Sequence, residues 1–160
     1  MNMNKTYLNK INNKNESQWY IIDAKKQTLG RICTVIATIL KGKNQINYTP
    51  HINHKINIIV TNSQLVEITG QKRFQKLYKK HSGRPGGLKK ESFDELQKRI
   101  PNRIIEKAVK GMLPKGPLGR RLFTQLKVYE SNNHPHQAQK PVKIDVSNFY
   151  SNPTFVHEDN

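Results

Sequence analysis

The chain is 160 residues long, 34% hydrophobic, and carries 28 basic against 11 acidic side chains, a formal net charge of +17. That is enough apolar material for one modest core and not for two, so a single domain with polar tails is expected. A compact body this cationic repels itself unless an anionic partner offsets the charge, which points to nucleic acid; with no run near the roughly 18 apolar residues of a spanning helix, no membrane partner is expected.

Residues 1–17 are polar and unpatterned and read as a flexible basic arm. Trp19, Tyr20, Ile21 and Ile22 form a strand-type run that ends at Asp23, whose carboxylate is placed to cap the following turn. Thr28 then offers an N-cap to a helix with Leu29, Ile32, Cys33, Ile36, Ile39 and Leu40 at three- and four-residue spacing, closed by Lys41 and Gly42. Residues 56–60 and 65–68 are β-rich runs, and residues 74–78 form a third, more basic one. Ser92 and Glu95 make a capping-box pattern for a helix that Pro101 interrupts. A second helix restarts there on the stripe Ile104, Ile105, Ala108, Val109 and Met112, with Gly111 available as a left-handed cap. A third short helix over residues 117–125 is expected to bury Leu118, Leu122 and Phe123 before an extended segment at 127–129. A sheet whose first connection is a helix implies an α/β fold. The domain is expected over residues 18–146, with residues 147–160 as a C-terminal tail.

The charge is concentrated. Residues 71–90 hold eight bases and no acid: Lys72, Arg73, Lys76, Lys79, Lys80, Arg84, Lys89 and Lys90, interleaved with Phe74, Tyr78 and His81 around a Ser-Gly-Arg-Pro-Gly-Gly centre. Glycines let a backbone approach a sugar-phosphate chain closely, arginine binds phosphate through a planar fork and lysines act as point charges, so this reads as a phosphate-seeking loop. A solvated basic loop is the plainer alternative. Residues 110–129 are also acid-free, placing Lys110, Lys115, Arg120, Arg121 and Lys127 among three glycines and two prolines. The prolines stiffen the segment, so less ordering entropy is lost on docking. A tight helix-helix turn with incidental charge is compatible with the same residues. His134 and His136, on a strip that reaches Lys140 and Pro141, and the element Lys41, Lys43, Tyr48 and His51 suit sugar, phosphate, base-edge or stacking contacts, with ordinary surface loops as the alternative.

Catalytic and metal chemistry find little support. His51 with His54 and His134 with His136 have ligand spacing, but zinc sites take three or four ligands, usually with thiolates. The only thiol, Cys33, lies on an apolar helical stripe, which also rules out an internal disulfide. Neither the P-loop nor the dinucleotide fingerprint is present, and no acid forms a recognisable pair with a serine or histidine. The expectation is a protein that is not an enzyme, with no cofactor, metal or small-molecule substrate.

Several ordered motifs resemble a known family. They are Trp19-Tyr20-Ile21-Ile22-Asp23-Ala24, Thr28-Leu29-Gly30-Arg31, Tyr48-Thr49-Pro50-His51, Thr69-Gly70-Gln71-Lys72, His81-Ser82-Gly83-Arg84-Pro85-Gly86-Gly87, and the stretch 109–129 with its Gly-Met-Leu-Pro-Lys-Gly-Pro-Leu-Gly-Arg core. Together they are similar to the large-subunit ribosomal protein thirteen family over residues 19–145. That resemblance implies a three-layer α/β/α domain with a small, mostly parallel four-stranded sheet, no enzymatic activity and no cofactor. It also implies binding to large-subunit rRNA during early assembly, beside neighbouring large-subunit proteins. Lys79-Lys80 stands where bacterial members often have an aromatic-histidine pair, and residues 53–57 lack their acidic, glycine-containing turn. An RNA- or protein-binding regulatory module outside the ribosome is the alternative function.

The forms of residues 83–87 and 134–141 and the Asn-rich opening resemble plastid-encoded members of the red-algal lineage. Seventeen asparagines, sixteen isoleucines and twenty-one lysines against four alanines and seven arginines look like an AT-rich coding sequence, and the opening residues lack signal and transit patterns. A plastid ribosome is therefore expected, with a bacterial cytoplasmic one as the alternative.

Overall fold

The computed structural model of the chain describes residues 17–46 and 48–151. The expected arm lies outside the described residues except for Ser17, whose hydroxyl accepts from the Trp19 indole at 3.1 Å. The first half of the domain runs β1 (Gln18–Asp23), α1 (Leu29–Leu40), β2 (Ile56–Thr61), a 3-10 turn (Ser63–Leu65), α2 (Lys72–Gln75), β3 (Leu77–His81) and β4 (Leu88–Ser92). It continues with α3 (Phe93–Arg99), α4 (Asn102–Met112), α5 (Pro117–Thr124), β5 (Leu126–Val128), a 3-10 turn (Gln137–Gln139), β6 (Val142–Lys143) and α6 (Val146–Ser151).

Four strands form one sheet in the order β5-β2-β1-β6, and every pairing in it is parallel. The α/β class and small parallel sheet expected from the sequence are what the chain adopts. β2 sits inside the sheet and reads Ile-Asn-Ile-Ile-Val-Thr, with all but Asn57 buried, the near-continuous apolar run of a parallel strand covered on both faces. Alternation sends Tyr20, Ile22, Ile56, Ile58, Val60 and Leu126 to the face that shares a core with α1 and α4. Phe93, Leu96, Ile104 and Ile105 in that core have 1% exposure or less, and burying each contributes about 2 kcal/mol. Val146 and Phe149 of α6 are buried in the same cluster, so packing continues past residue 146.

Several local signals are obeyed. The Ser92 hydroxyl accepts from the Glu95 amide and the Glu95 carboxylate from the Ser92 amide, the full capping box. Asp23 accepts from the Lys25 amide at 2.9 Å, as expected of a turn cap, and also from the Asn62 side chain. At the end of α1 the Gly42 amide donates to Ile39 and the Lys43 amide to Thr38, a Schellman closure that needs the left-handed φ of +71° at Gly42.

Four expectations are corrected. The Thr28 side chain makes no capping bond; the first turn of α1 is instead docked by its backbone, with the Leu29 amide donating to Glu67 and the Glu67 amide to Gln27. Those bonds are why the β-rich run 65–68 forms only an isolated bridge between Thr28 and Glu67 and no strand. Phe74 belongs to the helical turn α2, and the strand begins after it, at Leu77. Gly111 lies inside α4 without positive φ, and the helix ends because Leu113 turns extended, at φ −84° and ψ 156°.

Candidate nucleic-acid interface

Residues 71–90, read as a loop, are for the most part a β-hairpin. β3 and β4 pair antiparallel, and the register sets Lys79 opposite Lys90 and Lys80 opposite Lys89. Half-buried Tyr78 packs against the core, and the ammonium groups of Lys76 and Lys107 lie 5.7 and 5.2 Å from its ring centroid. The connecting loop turns on Gly83 and Gly86, with φ of +90° and +71°. The Gly83 amide donates to Nδ1 of His81, and the Gly87 amide to the Arg84 carbonyl. Arg84 is thereby held, exposed, at the hairpin tip.

Nearby acids are already engaged. Glu91 receives both contacts from one Arg99 nitrogen at 2.8 and 2.7 Å, Asp94 pairs with Arg73 at 2.6 Å, and Glu95 serves the capping box. Arg73, grouped by sequence with the phosphate-seeking residues, is thus tied back to the first turn of α3; its partly exposed pair contributes at most about 1 kcal/mol. Among the described residues no acid pairs with Lys79, Lys80, Arg84, Lys89 or Lys90. Like charges directly opposite each other on a ladder are destabilising, so the two lysine pairs weaken the isolated protein. Lys90 is one of the eight bases of this segment, and only the strand register shows that it faces Lys79.

The second cationic element packs elsewhere, on α4 and β5, whereas the hairpin packs on α2 and α3. Lys115 is exposed in the turn before α5, and Arg120 and Arg121 are exposed on it. Pro117 occupies the first turn of α5, and buried Gly119 faces the Pro114 carbonyl so closely that a β-carbon would stand 1.7 Å from that oxygen. The Lys110 ammonium lies 5.6 Å from the Phe123 ring centroid, and Lys127 is half-buried in β5.

This element meets the chain that leaves α1. Lys41, Lys43 and Tyr48 line a cleft of about 220 Å³ together with Pro114, Leu118 and Leu122. The Lys41 ammonium donates to the Met112 carbonyl at 2.8 Å, placing a cation at the negative end of α4. Sequence reasoning found Lys41, Lys43 and Tyr48 but not their apolar counter-wall, which is 71 residues distant at the Lys41–Met112 bond. His51 is exposed and does not line this cleft, and Lys72 is exposed on α2.

The histidine strip is largely absorbed by the protein itself. His136 Nε2 shares a hydrogen bond with the Tyr129 hydroxyl at 2.9 Å and its ring lies 5.0 Å from Trp19, while His134 lies 6.5 Å from Tyr129. Trp19 and Tyr129, missed as site residues, thus hold the strip against the second face of the sheet. Lys140 beyond it is exposed, with left-handed φ of +46°.

Cys33 is fully buried, and desolvation pushes its thiol from 9.0 up to about 12. Above pH 9 the unfolded thiol ionises while the folded one does not, so stability should fall as pH rises from about 9 towards 12. At neutral pH, iodoacetamide labelling is expected only as fast as the protein opens, and prompt native labelling would contradict that burial. Among the described residues no group of three or more His, Cys, Asp or Glu is placed to hold a metal, and no helix is long and apolar enough to cross a membrane.

Fold and charge together define a small basic α/β domain on which Lys79, Lys80, Arg84, Lys89 and Lys90 have no acidic partner among the described residues. The chain belongs to the ribosomal protein L13 family, whose model matches residues 17–135. It is 62% identical over 144 residues to the large ribosomal subunit protein uL13c of Pyropia yezoensis, covering 90% of this chain and 100% of that one. It is 58% identical over 139 residues to the uL13c protein of Gracilaria tenuistipitata var. liui, covering 87% and 96%. The uL13 protein of Synechocystis sp. is 56% identical over 145 residues, covering 91% and 95%. The family is one of ribosomal proteins and is not an enzyme class.

Proposed function

We propose that the protein is a structural constituent of the large subunit of a plastid ribosome, where it binds large-subunit rRNA and supports early subunit assembly beside neighbouring ribosomal proteins. The plastid setting follows its similarity to the uL13c proteins of red algae. The observation that carries the rRNA reading is the two opposed lysine pairs, Lys79 with Lys90 and Lys80 with Lys89, on an exposed hairpin whose one acid, Glu91, is bound by Arg99. Such an arrangement is unfavourable alone and becomes favourable when a polyanion lies along it and releases its counterions. Arg84 at the tip, Lys115, Arg120 and Arg121 on the second element, and Lys43 beside the cleft extend the contact surface. Lys41, Arg73 and His136 position their neighbours more than they offer free charge.

Arg84→Ala and Arg120→Ala are each expected to weaken binding to protein-free large-subunit rRNA by roughly 5- to 10-fold at 0.1 M salt, the loss of one phosphate contact. Their stability should change by no more than about 0.5 kcal/mol, because neither side chain is packed. Filter binding and thermal melting on the same samples check both. Unchanged affinity, or stability lost in step with it, would count against the reading.

A further inference from the structure

The cleft between the α1 exit and α5 has a composition that differs from both cationic elements. Its floor is apolar, with buried Leu122 and half-buried Leu118 against Pro114, and one wall is the half-buried ring of Tyr48. Two ammonium groups stand among its lining residues, Lys41 and Lys43, and none of those residues is acidic. Lys41 is fixed by its bond to the Met112 carbonyl, which uses one of its three donors, whereas Lys43 is exposed. At about 220 Å³ the space is smaller than the roughly 300 Å³ at which small-molecule pockets begin, too little for a dinucleotide or a large cofactor.

A ligand that fits needs a flat, largely apolar face and an attached anion. An unstacked nucleotide has both, and single-stranded RNA is recognised by laying splayed bases on aromatic side chains while cations hold the backbone. We propose that this cleft receives one extruded, unpaired nucleotide, its base against Tyr48 and its phosphate on Lys43; this rests on the rRNA-binding reading above. An apolar side chain from a neighbouring protein would match the floor, but it would leave the two lysines without a counter-charge.

The test pairs zero-length ultraviolet crosslinking in intact large subunits with rRNA binding by the full-length protein and its variants. The peptide holding Tyr48 should carry an adduct to a single unpaired nucleotide. Tyr48→Ala should lower rRNA affinity by roughly 5- to 100-fold while leaving the salt slope unchanged, and Tyr48→Phe should bind as the wild type does. Lys43→Gln should instead reduce the log-log salt slope by about 0.7 to 0.9. Melting curves are run on each variant, and if Tyr48→Ala is unstable, the adduct map and Lys43→Gln decide. Full affinity in a stable Tyr48→Ala without any nucleotide adduct would overturn the nucleotide cleft and leave rRNA binding intact, as would an adduct to protein in its place. Failure of the wild type to bind rRNA would overturn both.

Discussion

Neutralising the hairpin by the combined substitution of Lys79, Lys80, Lys89 and Lys90 with glutamine is expected to lower rRNA affinity on the order of a hundredfold near 0.15 M salt and to flatten the log-log salt slope by about 3. The same variant should melt no lower than the wild type, and slightly higher if the two opposed pairs repel as their register implies. This combination, weaker binding with equal or better stability, is what separates a charge kept for a partner from a charge kept for the fold. Salt titrations of binding beside melting curves measure it. A lower melting temperature at unchanged affinity would mean that the lysines support the hairpin itself.

Gly119→Ala is expected to destabilise the protein by about 3 kcal/mol, a fall of roughly 10 °C in melting temperature, because the new β-carbon would stand 1.7 Å from the Pro114 oxygen and 2.7 Å from its carbonyl carbon. Neither atom is the loose end of a side chain, so the turn before α5 must move and take Pro114, a wall of the cleft, with it. Gly111→Ala provides the contrast: it lies within α4 with nothing inside 4 Å of the added carbon, and alanine there should stabilise by roughly 0.5 to 1 kcal/mol. Had Gly111 been the left-handed cap that the sequence suggests, the same change would be costly. Thermal melts of the two variants side by side distinguish these cases.

What could be read from the sequence was what depends on near neighbours. The apolar spacing of α1, the capping box of Ser92 and Glu95, the helix restart at Pro101 and the run that becomes β2 all have their determinants within one or two turns. The hairpin was only partly legible: the β run at 74–78 overlaps its first strand, but Leu77–His81 and Leu88–Ser92 carry more lysine than β-branched residues, and the strands are held by cross-strand pairing, the engagement of Tyr78 and the Arg99–Glu91 contact. The run at 65–68 misled in the opposite sense, with strand-type residues but backbone groups committed to the start of α1. β6 has two residues, too few to leave a periodic trace.

The site divides in the same way. Composition located both cationic elements, since the absence of acids over 71–90 and 110–129 is visible in one dimension. Pairing and tertiary contact then decided which cations are free. Arg73 proved to be tied to Asp94 and Lys41 to Met112, while Lys90 gained importance from facing Lys79. The role of Trp19 in seating His136 joins β1 to a strip more than a hundred residues later, which no local pattern encodes.

The most direct measurement is crosslinking of the protein inside native large subunits, with the joined nucleotides and peptides mapped together. Adducts from both the 77–92 hairpin and the 110–129 element to large-subunit rRNA are the expected result. Adducts from both segments to protein alone, or lysines on the hairpin that react with an amine reagent as readily in the subunit as in the isolated chain, would contradict it.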